Sequence, residues 1–458
     1  MEIFGSSGVR GVVGEEMTPP FAERVVAAAG TVLDAETVAL ARDTRTTGRM
    51  FVDAAASALA AVGCSIHRLG IVPTPAVQAY AERHAVPAVV ITASHNPPEY
   101  NGIKLIGADG VELPERMLER IEVRLTGDDV ETVGYAHVGT TRRVEGARKT
   151  YVRELLDRLD AIGVRDSIGA ADLTVALDPG HGAGALTSPR FFRELGCRVI
   201  TLNAQPDGHF PGRNPEPVAE NLSDLRRLVR STDADVGIAH DGDADRAIFV
   251  DETGSHIQGE TSLAALAAAE LDVGDIVVSA VNVSQRLVDV ATETGAELEL
   301  TPIGSTNLIT RIRELRTEGA RVPIAGEGNG GVLFPDYRIA RDGAYTAARF
   351  LELLADRPAS DLVADYSGYT VVRKNVEYAD ENERTAILEA ADTYARAADA
   401  ELTTLDGYRL DYGDAWVLAR PSGTEPLVRL YAEAESEQRA ETLMLQFYDA
   451  ISGDDSGE

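Results

Sequence analysis

A chain of 458 residues with 44% hydrophobic content can fill several ordinary buried cores and is too long for one compact domain. Its 74 acidic against 43 basic residues give a formal net charge of -31, which repels nucleic acid and anionic membranes and excludes both as partners in the absence of a strongly basic patch. The surface is therefore acidic and solvated, and with lysine only at Lys104, Lys149 and Lys374 the balance is that of a halophile's cytoplasmic protein, a merely acidic mesophile protein being the alternative.

At the amino end, Met1-Glu2-Ile3-Phe4-Gly5 lacks the apolar stretch of a signal peptide, and apolar runs such as Val86 to Ile91 fall far short of the ~20 residues that span a bilayer. A cytoplasmic location is expected. Phe4 to Gly11 sets glycines and serines around Arg10, which suits anions and is explained equally by a flexible end. Short β-branched runs then alternate with amphipathic stretches, the pattern of layered α/β structure. Val38 to Arg42, Ser65 to Leu69 and Pro87 to Ile91 are predicted strands and Arg49 to Val62 a helix. Cys64 and Cys197 are too few for a disulfide scaffold, lack metal-ligand spacing and read as buried thiols.

Thr92-Ala93-Ser94-His95-Asn96-Pro97-Pro98 follows an apolar strand directly, where ligand chemistry of α/β sheets usually sits. Asn-Pro-Pro can neither continue a strand nor enter a helix, so Ser94 is presented on a stiff turn, or else caps a plain one. A serine-hydrolase elbow is disfavoured, because Thr92 and Asn96 stand where its glycines belong. After a predicted helix at Tyr151 to Leu159 come a strand at Leu173 to Asp178, a helix at Pro189 to Leu195 and a strand at Arg198 to Leu202. Gly180, Gly182 and Ala185 fit a dinucleotide fingerprint, but the next strand ends in Leu202-Asn203 rather than an acid, which disfavours it.

Asp241-Gly242-Asp243-Ala244-Asp245-Arg246 lies between the strand-like runs Val236 to Ala239 and Ala247 to Val250. In an extended backbone three carboxylates at alternate positions point one way, and like charges so crowded require a cation, which an all-oxygen set marks as magnesium or a similar ion. An EF-hand competes, with Glu252 at its twelfth position, but Arg246 replaces its glycine; a solvated acidic turn is the plainer alternative.

The third block runs from about Glu260 to Ala355, with strands at Ile276 to Ala280 and Val322 to Gly326. Gly326-Glu327-Gly328-Asn329-Gly330-Gly331 offers a carboxylate and an amide that suit sugar hydroxyls, or is a glycine-rich turn. The last block has a helix at Ala386 to Ala398 and two strands flanking Arg420-Pro421-Ser422-Gly423-Thr424-Glu425-Pro426, with Arg429 just beyond. Gly423, two hydroxyls and an arginine suit a phosphate cradle, with an ordinary hairpin as the alternative. A frayed tail is expected from Ser452 onward.

Together and in this order, these segments resemble the α-D-phosphohexomutase family, which includes phosphoglucomutase, phosphomannomutase and phosphoglucosamine mutase, along essentially the whole chain. The resemblance implies three related mixed α/β domains (1–145, 146–250 and 251–362) and a smaller α+β domain (363–458) around a central cleft. It implies that a phosphoryl group moves between the 6- and 1-positions of a hexose phosphate through phosphorylated Ser94, with a hexose 1,6-bisphosphate as intermediate or activator. Asp241, Asp243 and Asp245 would hold one magnesium ion beside the Ser94 phosphate, with Arg10, His95, Lys104 and Arg246 as catalytic neighbours. Glu327 and Asn329 match the sugar-binding loop, and Arg420, Ser422, Gly423, Thr424 and Arg429 the site of the distal phosphate. Two positions depart: Ser6 replaces a threonine, and Gly331 stands where many bacterial members have histidine, so no proton-handling role carries over to it. The Asn-Gly-Gly version resembles archaeal members, and the phosphate loop favours glucosamine 6-phosphate narrowly over glucose and mannose phosphates. A phosphatase, in which water intercepts the phosphoserine, and an inactive sugar-phosphate sensor are the alternatives; the distal loop disfavours the first and the intact carboxylates the second.

Overall fold

The structure is a computed structural model that describes residues 3–5, 8–127, 129–422 and 426–452. The expectations on Ser6, Gly423, Thr424 and the tail after Ser452 lie outside these residues. Local chemistry sets where elements start and stop. Helix Pro19–Leu33 opens on prolines, whose missing N–H groups are no loss in a first turn, behind Thr18, whose hydroxyl accepts from Phe21 N at 3.4 Å. It stops at Asp34, in the left-handed region with φ 47°. Its buried alanine and valine face packs on helix Gly48–Ala61.

The first sheet orders strands Val9–Val12, Tyr100–Ile106, Ala88–Ile91, Thr37–Arg42, Ser65–Ile71 and Thr141–Arg143. The second orders His256–Ile257, Ile248–Asp251, Val236–Ala239, Thr174–Asp178 and Arg198–Thr201; the third, Glu297–Thr301, Ile276–Ala280, Ala325–Gly326, Val332–Phe334 and Arg338–Arg341. All three repeat one arrangement: a strand parallel to a central neighbour runs out into a loop, and the chain returns as an antiparallel strand beside it. The three loops so made carry Ser94, the aspartates and Glu327. Ligand sites of α/β sheets form at such strand ends, and the repeat gathers three of them.

A continuous apolar core joins the three layers, from Val90 through Phe191 and Phe249 to Phe350, with the rings of Phe249 and Phe350 stacked at 4.0 Å. The fourth sheet is wholly antiparallel, in the order Thr370–Glu377, Leu427–Ala434, Ala415–Pro421, Tyr408–Asp411 and Glu401–Thr403, and has its own core under helices Glu381–Ala397 and Glu437–Ser452. Buried Glu433, bonded within its own sheet by Trp416 Nε1 at 2.9 Å, docks it on the third layer by accepting from Ser284 Oγ at 2.6 Å and Arg286 Nη1 at 2.8 Å. Cys64 and Cys197 are buried free thiols, and burial pushes Cys197 up to about 12. Among the described residues no helix is long and apolar enough to cross a membrane.

One predicted strand is shorter than expected. Within Val322 to Gly326 only Ala325–Gly326 pairs in the sheet, because Pro323 has no N–H to donate, although Ile276 N still reaches Arg321 O at 2.9 Å.

Candidate active site

Ser94 follows strand Ala88–Ile91 and is almost fully buried, with φ at 50°. The left-handed region costs a non-glycine residue about 1 kcal/mol or more, so the surroundings must impose it. Arg45 does so. Its guanidinium, wholly buried, donates from Nη2 to Ser94 O at 3.1 Å and Asn96 O at 2.6 Å, and from Nη1 to Pro97 O at 2.6 Å and Tyr100 O at 2.9 Å. Asp43 fixes Arg45 Nε at 3.1 Å and accepts from Thr92 Oγ1 at 2.7 Å, while that hydroxyl accepts from Ser94 N at 2.9 Å. The sequence reading passed over Arg45, although a charged run directly after strand Thr37–Arg42 was the available signal. Arg45→Lys keeps the charge and loses the fork that grips four carbonyls. It is expected to lower kcat about 100-fold, since a displacement of about 1 Å at a reacting group has that effect. Steady-state kinetics with a thermal melt checks this, and an unchanged kcat would dismiss Arg45 as the holder of the loop.

The aspartate loop converges by a different geometry from the one expected. Residues 240–247 are a turn rather than an extended strand: Ala244 has φ 56° and its N–H donates to Asp241 O at 3.3 Å. The turn aims three buried carboxylates inward, with one oxygen of each within 4.8 Å of the others. Asp243 Oδ2 accepts from Thr74 Oγ1 at 2.6 Å and Lys104 Nζ at 2.8 Å; Asp245 Oδ2 accepts from Lys104 Nζ at 2.8 Å and pairs with Arg341 at 2.9 Å. Their Oδ1 atoms are buried and find no hydrogen-bond donor among the described residues. Ser94 Oγ donates to Asp241 Oδ2 at 2.7 Å. Burial and the two like charges push Asp241 up to about 8. Burial alone would raise Asp243 and Asp245 too, but Lys104, with Arg341 at Asp245, outweighs it and holds both below the usual carboxylate range. Orphaned carboxylate oxygens in an all-oxygen set fit a hard divalent cation. Strands flank the loop where an EF-hand has helices, and Glu252 is engaged with Ser360 instead.

The cations predicted from the sequence reach the aspartate turn or the Ser94 loop. Lys104 is buried, and the two aspartates keep it charged against the pull of desolvation. Arg246 lies 4.0 Å from both Asp241 and Asp245, donates from Nη2 to His95 Nδ1 at 3.1 Å, and has a buried Nε with no hydrogen-bond partner among the described residues. Burial, reinforced by Arg246 and Arg10, pushes His95 far below its ordinary value, so the ring is neutral, with Nδ1 3.5 Å from Ser94 Oγ. Arg10, on strand Val9–Val12, reaches Asn96 Oδ1 at 3.1 Å.

The glycines of the dinucleotide-like motif answer to packing. A Cβ at residue 182 would fall 2.5 Å from Gly242 O, and one at residue 180 would meet Arg213, which donates to His240 O at 2.6 Å beneath the aspartate loop.

The Glu327 loop is tied to the aspartate loop by Ala247 N donating to Gly330 O at 2.9 Å. Glu327 Oε1 accepts from Gly304 N at 2.8 Å, and Asn329 Nδ2 lies 3.4 Å from Glu327 Oε2. In the fourth sheet Arg420 stands directly across from Arg429, a like-charge pair that favours an anion between them. Asp406 accepts from Arg420 Nε at 3.2 Å and from Ile303 N at 3.1 Å, which brings this strand pair beside the residue that grips Glu327. Ser422 N donates to Leu427 O at 2.8 Å at the mouth of the pair.

Repeated α/β layers that gather a serine, three carboxylates and several buried cations define an enzyme for anionic, phosphorylated substrates. Family models for phosphoglucomutase/phosphomannomutase match in chain order: alpha/beta/alpha domain I over residues 1–131, domain II over 149–254, domain III over 258–369 and the C-terminal domain over 374–450. The chain is 40% identical to a phosphoglucomutase/phosphomannomutase of Thermococcus kodakarensis over 96% of each chain. It is 42% identical to a probable phosphoglucosamine mutase of Methanopyrus kandleri, over 98% of this chain and 97% of that one. A crystal structure of a phosphoglucomutase/phosphomannomutase family protein from Burkholderia thailandensis superposes with a TM-score of 0.85 at 28% identity, covering 100% of this chain and 98% of the other. The chain belongs to the phosphoglucomutase/phosphomannomutase family. It is a phosphohexomutase, an isomerase that relocates a phosphoryl group on a hexose phosphate.

Proposed function

We propose that Ser94 carries the phosphoryl group and that glucosamine 6-phosphate, converted to glucosamine 1-phosphate, is the principal substrate. The observation that carries the first part is the buried Ser94 hydroxyl donating at 2.7 Å to Asp241, with Arg246 4.0 Å from that carboxylate, Lys104 on the neighbouring Asp243 and Arg10 on Asn96 of the serine loop. The second part is supported by the name of the Methanopyrus kandleri relative; the Thermococcus kodakarensis relative keeps glucose and mannose phosphates as the alternative. Each of four domains, residues 1–145, 146–250, 251–362 and 363–458, supplies one loop to the site. Two buried thiols in a chain without a disulfide pair suit a reducing cytoplasm.

In the reaction so read, the bond from phosphorus to Ser94 Oγ breaks as one forms to the C1 or C6 hydroxyl oxygen of the sugar, and the proton that this hydroxyl loses ends on the departing Ser94 Oγ. The bisphosphate then turns end for end and returns its other phosphate to Ser94. Asp241, Asp243 and Asp245, with phosphorylated Ser94, would hold Mg2+, which when bound neutralises charge on the transferring phosphoryl group. Arg246 and Arg10 add fixed positive charge for the phosphoryl oxygens, and Lys104 holds Asp243 and Asp245 with one oxygen of each left inward. Glu327 and Asn329 hold sugar hydroxyls in either orientation, while Arg420, Ser422, Gly423, Thr424 and Arg429 bind the distal phosphate.

Phosphorus NMR of the purified enzyme on glucosamine, glucose and mannose 6-phosphates tests the reading: the 1-phosphate isomer is expected, fastest for glucosamine, with measurable conversion of glucose phosphate. Inorganic phosphate as the main product would make the protein a phosphatase. Glu327→Gln keeps the acceptor for Gly304 N and removes a charged contact to the sugar worth about 1.5 to 3 kcal/mol. It is expected to lower kcat/KM about 10- to 150-fold for every sugar alike. Loss of the glucosamine reaction alone would mean that Glu327 reads the amine.

A further inference from the structure

Arg341 ends strand Arg338–Arg341 and is buried at 6% exposure. Its Nη2 lies 2.9 Å from Asp245 Oδ2 and 3.5 Å from Glu112 Oε1, and the Glu327 carboxylate adds to the attraction. These carboxylates come from three separate segments: the turn after strand Tyr100–Ile106, the aspartate loop and the sugar loop. Glu112 is itself held to the third layer, accepting from Ser305 Oγ at 2.9 Å. The stem of Arg341 passes over the sugar loop at Gly331, where an added Cβ would fall 2.6 Å from Arg341 Cδ and 3.1 Å from Asn329 Oδ1. Gly331 is not among the glycines with positive φ, so its backbone admits any residue. Space for the arginine is what excludes a side chain.

We propose that Arg341 is a positioning residue for the phosphoryl transfer: by gripping Asp245 and Glu112 while its stem lies against the sugar loop at Gly331 it fixes that loop relative to Ser94, and Gly331 is glycine so that the stem can pass. The proposal rests on the reading of Glu327 as a sugar contact. Asp245 keeps Lys104 when Arg341 is lost, so the aspartate turn survives and the damage falls on the placement of the sugar.

The test is a double-mutant cycle on the full chain, with kcat, KM and the Mg2+ concentration for half-maximal activity measured for each variant and folding checked by thermal melt. Arg341→Ala is expected to lower kcat about 10- to 100-fold, the range for residues that orient a direct ligand, and to leave the Mg2+ requirement within about threefold. Gly331→Ala is expected to lower kcat about tenfold in the wild type and to add much less to Arg341→Ala, because the stem it collides with is gone and only the looser contact to Asn329 remains. Additive losses would overturn the proposal. Should Arg341→Ala fail to fold, Gly331→Ala alone still decides, since a folded Gly331→Ala with unchanged kcat also overturns it. Additivity combined with a defective Glu327→Gln refutes this coupling and leaves the sugar-loop reading standing; a fully active Glu327→Gln refutes that reading.

Discussion

Ser94→Ala is expected to lose turnover by a factor of the order of 10^4 or more while still binding sugar phosphate. On the proposed reading the substitution removes the one atom that carries the phosphoryl group, and the loss of a nucleophile is not made good by its neighbours, which act with it as a unit. Binding survives for a geometric reason: Lys104, Arg246 and the aspartate turn are fixed by their own partners, and Arg45 grips the backbone carbonyl of residue 94 rather than its side chain. Titration calorimetry with the sugar phosphate should show retained affinity, and mass spectrometry of the active enzyme should find phosphate on Ser94. A stable phosphate on another residue, with Ser94→Ala still active, would sink the mechanism.

Removing the divalent cation is expected to abolish activity and its return to restore it. Three buried carboxylates within 4.8 Å of one another, two of them with an oxygen that finds no donor among the described residues and the third raised by burial and its two like-charged neighbours, form a group that a cation completes. Asp243→Asn should raise the Mg2+ requirement by about 100-fold, because affinity for such ions follows the charge count of the ligands. Its Oδ2 contacts to Thr74 and Lys104 would pass to the amide, which can still accept, so the loop stays in place. A readout independent of turnover is the melting temperature: added Mg2+ should raise it in the wild type, by linkage to the native state, and much less in Asp243→Asn. Full turnover in excess chelator would remove the cation from the reaction.

The arrangement also explains how a chain of net charge -31 accepts an anionic substrate. Arginines gather at the site: Arg246, 4.0 Å from Asp241 and Asp245, keeps a buried Nε without a hydrogen-bond partner among the described residues, and Arg420, bonded to Asp406, stands across a strand pair from Arg429. At such places a phosphate relieves repulsion or completes a donor, which offsets the unfavourable global field.

Strands and helices were legible because their signals are local. Alternation, proline and apolar runs located Thr37–Arg42, Ala88–Ile91, Gly48–Ala61 and Ile276–Ala280 to within a residue or so of where they stand. The strand before the sugar loop was over-read because Pro323 breaks its ladder. The aspartate spacing pointed to a cation for a partly mistaken reason: convergence comes from the left-handed turn at Ala244 and not from strand alternation, and period-two arithmetic cannot see a positive φ at alanine.

By itself the sequence determined the layered α/β class, the order of the loops and the residue types in each, since spacing along the chain suffices for these. Only the tertiary structure decided which distant groups meet. Arg45 holding the Ser94 loop across roughly fifty positions, Arg341 bridging Glu112 and Asp245, and Glu433 fastening the fourth sheet are buried charges whose partners lie far away in the chain. A lone charged residue reads as solvated surface in a sequence, and only packing shows that it is enclosed with an opposite charge, the condition under which a buried charge is tolerated.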